Sequence, residues 1–303
     1  VTEVMKQQGR TPTDDPTTQD TDARIPADAH AGGLPPLRGA PGGRAERARR
    51  RDGRAALYLG RLLIGLVIAV SWELTSGRVW SEFSVSKPSK IAGRIRDLAS
   101  SGELWTHTRV TMTETLLGLV IGLAGGIALG LIVASSGRVG QLVLPYVMAL
   151  YSLPRVALAP LFIVWFGIGL SAKVVMVVTM VLFVAFYNTY EGVRNIDRDL
   201  LEMARSMRSP WHHRLRWVIL PSITPWLLTS LRLAIGLALI GAVISELVAA
   251  SEGLGYYIKL SSNLFDTTGV FAGLMVVTFI AVVLEQLVVL LEKRVLRYRE
   301  ATS

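Results

Sequence analysis

The feature that most constrains this chain is Thr115–Ser136, TLLGLVIGLAGGIALGLIVASS, a 22-residue run without a charge. As a helix it is about 33 Å long, enough to cross the roughly 30 Å hydrocarbon core of a bilayer. Other apolar stretches follow the same logic: Ala55–Leu74, Gly140–Leu153, Ser171–Tyr190, Ser222–Leu247 and Val270–Leu291. Arg61 lies near one end of the first, where its side chain can snorkel. PLFIVWFGIGL, between the third and fourth spans, is too short to cross alone. It reads as a re-entrant or interfacial piece, tolerable only where it packs against protein. The expected fold class is an all-α membrane protein with about six transmembrane helices.

Bulk composition agrees. The chain is 51% hydrophobic and 18% charged, against roughly 25% charged in soluble domains. Its net charge of +9 flanks apolar runs, the pattern of basic residues kept on the cytoplasmic side. No basic face is interleaved with aromatics, so nucleic acid is not an expected partner. An even number of spans puts the basic N-terminal tail, the element Asp199–Trp217, the SSGRVG loop and the C-terminal KRVLRYR in the cytoplasm. The loop between the first two spans also carries Lys87, Lys90, Arg94, Arg96 and Arg109, but it exceeds thirty residues, and the rule weakens with loop length. Within it, KIAGRIRDLASSGELW reads as one amphipathic helix on the outer surface.

Residues 1–54 are rich in Pro, Gly, Asp, Thr and Arg without an apolar period, and read as a disordered cytoplasmic tail. Its basic end, RAERARRRDGR, reads first as a solvated tail that helps set orientation, with an anchor at anionic lipid headgroups as the alternative. A secretory signal is not expected, because the apolar run comes late and no small-residue cleavage site is clear. Residues 55–299 form the membrane domain, and 300–303 a short C-terminal tail. Gly118, Gly122, Gly126 and Gly130 recur every fourth residue, a ridge without side chains that lets another helix approach closely. Packing inside one subunit and a dimer seam both fit it.

Catalytic chemistry finds little footing. There is no G-x-x-x-x-G-K-[ST] phosphate loop, no H-E-x-x-H and no G-x-S-x-G. Cysteine is absent. His212 and His213 are adjacent and point about 100° apart on a helix, unsuited to a shared metal. No cofactor is expected and the chain does not read as an enzyme. An ion-coupled carrier would want intramembrane carboxylates arranged as a relay, whereas Glu73, Glu114, Glu246 and Glu285 sit at predicted span edges.

Between two apolar stretches lies a compact basic element, DLLEMARSMRSPWHHRLRWVILP (Asp199–Pro221). Leu200, Met203, Ala204 and Met207 follow the spacing of one apolar helical face. Asp197 or Asp199 can cap its start. Ser209-Pro210 predicts a second helix start, with serine as N-cap and proline in the first turn, and a turn at Arg208 between. Pro221 and Pro225 are expected to bend or restart the chain at the membrane edge. Such a hairpin suits a partner's groove.

Glu202, Ala204, Val218, Leu220 and Pro221 give this element the pattern of the EAA loop of ABC importer permeases, which it resembles over 197–221. Met203 replaces an alanine, and Arg208 stands where that family usually has glycine. Ser152–Gly169, Ser245–Tyr256 and Lys87–Ile91 (KPSKI) are similar to the nitrate, sulfonate and taurine branch, so the likeness spans roughly Ala55–Arg299.

The resemblance implies the type I ABC importer permease fold with a cytoplasmic coupling-helix hairpin, in a bacterial inner or plasma membrane. It implies a homodimer, cytoplasmic ATP-binding ABC ATPase subunits, an extracytoplasmic solute-binding protein, and a path for a small solute. An alkanesulfonate, taurine or nitrate leads, with a thiamine-precursor pyrimidine as the alternative. ATPase coupling is then expected of Glu202, Met203, Ala204, Met207, Arg208, Val218, Leu220 and Pro221. Ser152, Arg155, Arg232, Ser245 and Glu246 are candidates to line the path, with local pairing to a neighbouring helix as the alternative for Arg232 and Glu246. Arg155 and Lys173, flanking the re-entrant piece, can guide an anion or anchor at headgroups.

Overall fold

A computed structural model describes residues 60–61, 63–78, 81 and 83–300; the N-terminal tail and the start of the first apolar stretch lie outside the described residues. The regular elements among those described are helices. In chain order they are α1 (Leu63–Thr75), α2 (Pro88–Ser101), α3 (Glu103–Ala134), α4 (Gly137–Tyr151) and, after a 3-10 turn at Arg155–Leu158, α5 (Ala159–Phe166). Then come α6 (Leu170–Arg194), α7 (Arg198–Ser206), α8 (Trp211–Arg214), a π-helical turn (Leu215–Ile219), α9 (Leu220–Ala249), α10 (Leu254–Asn263) and α11 (Thr267–Glu300).

Four helical segments are long and apolar enough to cross a membrane: α3, α6, the unbroken rod Trp211–Ala249, and Thr267–Arg294 of α11. α4 and the segment Arg155–Phe166 form a pair bent by 78°, a fifth span if read as one. The described residues thus hold four or five such spans, and the start of the expected first span lies outside them. The described part of α1 is apolar. The expected third span stops at Tyr151, because Pro154 cannot continue a helix and disfavours helical backbone just before it. PLFIVWFGIGL lies beyond that bend, mostly within α5.

The glycine ridge faces α6 of the same chain. A Cβ at Gly122 would sit 2.8 Å from that of Val181, and one at Gly126 would run into the Leu182 carbonyl and the Ala185 methyl. Close approach to α6 therefore requires glycine here, and the ridge is committed within the subunit. Leu119 of α3, Val177 and Val181 of α6 and Ala234, Ala238 and Ala242 of α9 form the central core. The outward faces are apolar instead of charged, with Val120, Ile132, Val164, Ile168 and Phe279 all more than half exposed. That inversion suits hydrocarbon as the solvent.

KIAGRIRDLASSGELW is not one helix. α2 stops at Gly102, which takes a left-handed φ of 83°, and α3 starts at Glu103. α2 is amphipathic as expected. It buries Ile91 and Leu98, and Arg94 pairs with Asp266 just before α11.

Candidate functional site

The basic element folds as a hairpin. Asp197 opens it: its Oδ1 accepts the Asp199 N–H at 2.9 Å, satisfying a donor that the first turn of α7 leaves free. The far end of α7 closes with the Ser209 N–H donating to the Ala204 carbonyl at 3.4 Å. That six-to-one bond belongs to a Schellman turn, whose penultimate position is left-handed. Arg208 occupies it, with φ 50°. A side chain there costs of order 1 kcal/mol, which gives the physical reason for glycine in the EAA pattern. Arg208→Gly is expected to leave uptake intact or improved and to raise thermal stability by at most about 1 kcal/mol. A loss of uptake in vesicles would show instead that the guanidinium makes a needed contact.

Ser209 does not cap the second helix. Pro210, extended at ψ 156°, holds the cap position and α8 begins at Trp211. Pro221 does not break the rod either, because the π-helical turn Leu215–Ile219 precedes it. The wider turn accommodates a residue that lacks an N–H and whose ring crowds the carbonyl four residues back. Pro225 sits inside α9 without interrupting it.

The hairpin has two faces. Ala204 is buried, and Leu201 packs with Leu215 and Leu220 against the buried trio Ile196, Ile219 and Ile223. Leu200, Met203 and Met207 are 44%, 59% and 76% exposed, so the expected apolar face is split, with three large side chains pointing out beside exposed Glu202. Val218 is half-buried and Pro221 exposed.

At the other end of the bundle sits a cluster of buried polar groups that the sequence reading did not assemble. Thr111 and Glu114 of α3, Lys173 of α6 and Glu246 of α9 are all buried. Lys173 Nζ donates to Glu114 Oε1 at 2.6 Å. Thr111 Oγ1 donates to Glu246 Oε1 at 2.7 Å and accepts the Leu254 N–H at 2.9 Å. The Gly255 N–H donates to Glu246 Oε2 at 2.7 Å. Glu246 thus clasps the first amides of α10 to α3 and α9. Gly253, at φ 119°, leaves the space that its carboxylate fills. The Ser245–Tyr256 motif is the sequence trace of this clasp. Glu114 and Glu246, placed at span edges by the sequence, lie inside the packed bundle, and Lys173 pairs with a carboxylate instead of headgroups.

The remaining expected residues separate. Arg232 pairs with Glu292 of α11 at 3.5 Å. Ser245 is buried and bonds back to the Ala242 carbonyl. Ser152 is exposed and bonds back to the Ala149 carbonyl. Arg155 stacks over the Tyr151 ring at 4.6 Å and the Phe183 ring at 5.3 Å. Those rings line a cavity of about 340 Å³ with Met148, Tyr187, Asn188 and Leu233. No local spacing marks it, because its walls come from α4, α6 and α9.

The family model described as the binding-protein-dependent transport system inner membrane component matches residues 126–297, more than half of the chain. The chain belongs to that family. This permease is 32% identical over 259 residues to a Bacillus subtilis (strain 168) protein named as an aliphatic sulfonates transport permease, SsuC, covering 85% of this chain and 94% of that one. It is also 32% identical to the formylaminopyrimidine transport permease ThiX of Halalkalibacterium halodurans, over 73% of this chain and 88% of that one. Its fold is similar to a chain of the MetNI methionine ABC transporter, with a TM-score of 0.52 at 20% identity, over 65% of this permease and 94% of that chain.

Proposed function

We propose that two copies of this permease form the gated path of an importer driven by separate ATPase subunits and fed by an external solute-binding protein. The hairpin and both termini face the cytoplasm. The observation that carries the reading is the hairpin itself: a short helix anchored through Leu201 and Ala204, presenting Leu200, Met203 and Met207 outward. The sequence holds no phosphate-cradling loop of its own, so an energy source bound at this face supplies the motion. ATPase closure carries α7, and the unbroken rod from Trp211 to Ala249 transmits the shift across the bilayer, biasing two packings of the spans. The proposed cargo is a small organic anion such as an alkanesulfonate or taurine, supported by the sulfonate-permease relative.

Reconstitution with the ATPase and binding protein tests this. The pair Met203→Asp and Met207→Asp is expected to cut ATP-driven uptake at least tenfold, as loss of interface anchors does. Both side chains are exposed, so thermal stability should move by less than about 0.5 kcal/mol. Uptake by the permease alone would refute the reading and favour an ion-coupled carrier. Competition by formylaminopyrimidine, with none by sulfonates, would reassign the cargo.

A further inference from the structure

The geometry points to a binding subsite for an organic anion, with Arg155 holding the charged head and the Tyr151–Phe183–Tyr187 cavity holding a short apolar tail. This rests on the permease reading above and names the residues of its path. Depth comes first. Phe183 lies thirteen residues into the 25-residue α6, and Leu233 lies a little past the middle of the 39-residue rod that starts at Trp211, so each sits near the middle of its helix. The cavity they share with Met148 and Asn188 therefore sits near the middle of the membrane.

The bend between Tyr151 and Arg155 lies beside the same cavity. Irregular backbone at such depth is tolerated where protein covers it or where it lines a cavity. A guanidinium there is costly unless compensated. Arg155 is compensated only in part: Nη2 donates to the Tyr151 carbonyl at 3.0 Å, and two rings flank the group. Its Nε is buried without a hydrogen-bond partner. A shift of the flanking rings would admit an oxyanion to Nε and complete the set, and guanidinium suits a planar or tetrahedral oxyanion through paired N–H bonds.

Below the head, the wall is mainly aromatic and aliphatic. Its volume falls in the range of small-molecule sites. Asn188 Nδ2 is committed to the Val184 carbonyl at 2.9 Å, so it offers the ligand mainly its oxygen, a partner for an amine-bearing tail as in a taurine-like solute. Arg155 stands over two of the cavity's rings, and among the described residues the lining itself holds no cation, so an inorganic dianion is under-compensated there, whereas a monoanion with a carbon tail meets both charge and surface.

The full-length permease in nanodiscs tests the site by equilibrium dialysis with ethane-, butane- and hexanesulfonate, inorganic sulfate and butylammonium as probes. Sulfonates should bind about fourfold tighter per added methylene until the cavity is full. Sulfate and butylammonium should bind at least tenfold more weakly than butanesulfonate. Arg155→Lys keeps the charge but loses the paired donors and the stacking, and should weaken butanesulfonate about tenfold. Phe183→Leu should flatten the chain-length dependence and leave the preference for anions.

Equal binding by wild type and Arg155→Lys, or affinity indifferent to tail length, would overturn the subsite. So would displacement of butanesulfonate by anionic phospholipid with the same Arg155 dependence, which would mark a lipid site. ATP-driven uptake that persists in Arg155→Lys with unchanged KM would sink the subsite alone. Failure to assemble with any ATPase would instead sink the wider reading.

Discussion

Lys173→Met is expected to destabilise the folded permease by about 3–5 kcal/mol, the cost of leaving one member of a buried ion pair without its partner. Lys173 Nζ stands 2.6 Å from Glu114 Oε1, and the Glu114 side chain is 1% exposed. Glu114 Oε2 already lacks a hydrogen-bond partner, and the neighbouring Glu246 carboxyl is engaged by Thr111 and Gly255. The melting temperature in nanodiscs should fall by roughly 10 °C. Glu114→Gln combined with Lys173→Met removes both charges and should recover most of the loss, because a matched neutral pair leaves no uncompensated ion. An unchanged melting temperature in the single variant would mean that the pair is solvated in the membrane.

Gly126→Leu should cost ~3 kcal/mol, the upper part of the range for overpacking. A Cβ at this position already overlaps the Leu182 carbonyl and the Ala185 methyl of α6. Backbone cannot yield as a flexible side chain does, so α3 and α6 must separate along the whole ridge. Gly122 and Gly130 would lose their contacts too. Ala124→Leu is the matched control, since Ala124 is exposed on the same helix and should be nearly neutral. If both variants lose stability alike, bulk on α3 matters and the close approach does not.

Much of this fold was legible residue by residue. Spans announce themselves by length and the absence of charge, because hydrocarbon demands that a helix satisfy its own backbone. The hairpin was legible for the same local reason: Asp197, the Leu200–Met207 spacing and the Pro210 break act within a few residues of themselves. Expectation and structure part where two local signals compete. Ser209 was expected as a cap, but Pro210 takes that position. The amphipathic period of KIAGRIRDLASSGELW runs through Gly102, whose left-handed backbone divides it. The apolar run of the third span continues to Leu153, past the end of α4 at Tyr151.

The clasp and the cavity were not legible. Glu114 and Lys173 are 59 residues apart, Thr111 and Glu246 135, and Thr111 and Leu254 143. Each was visible as a polar residue at the edge of an apolar run, yet a helix pattern says only which residues share a face. The chain alone determined that it crosses a membrane, carries a basic hairpin and keeps a glycine ridge for a neighbouring helix. Only the tertiary structure decided which helix fills that ridge, which charge meets which, and that Arg155 stacks on two rings. Local backbone preferences act over a few residues, whereas those pairings depend on how α3, α4, α6 and α9 are turned toward one another.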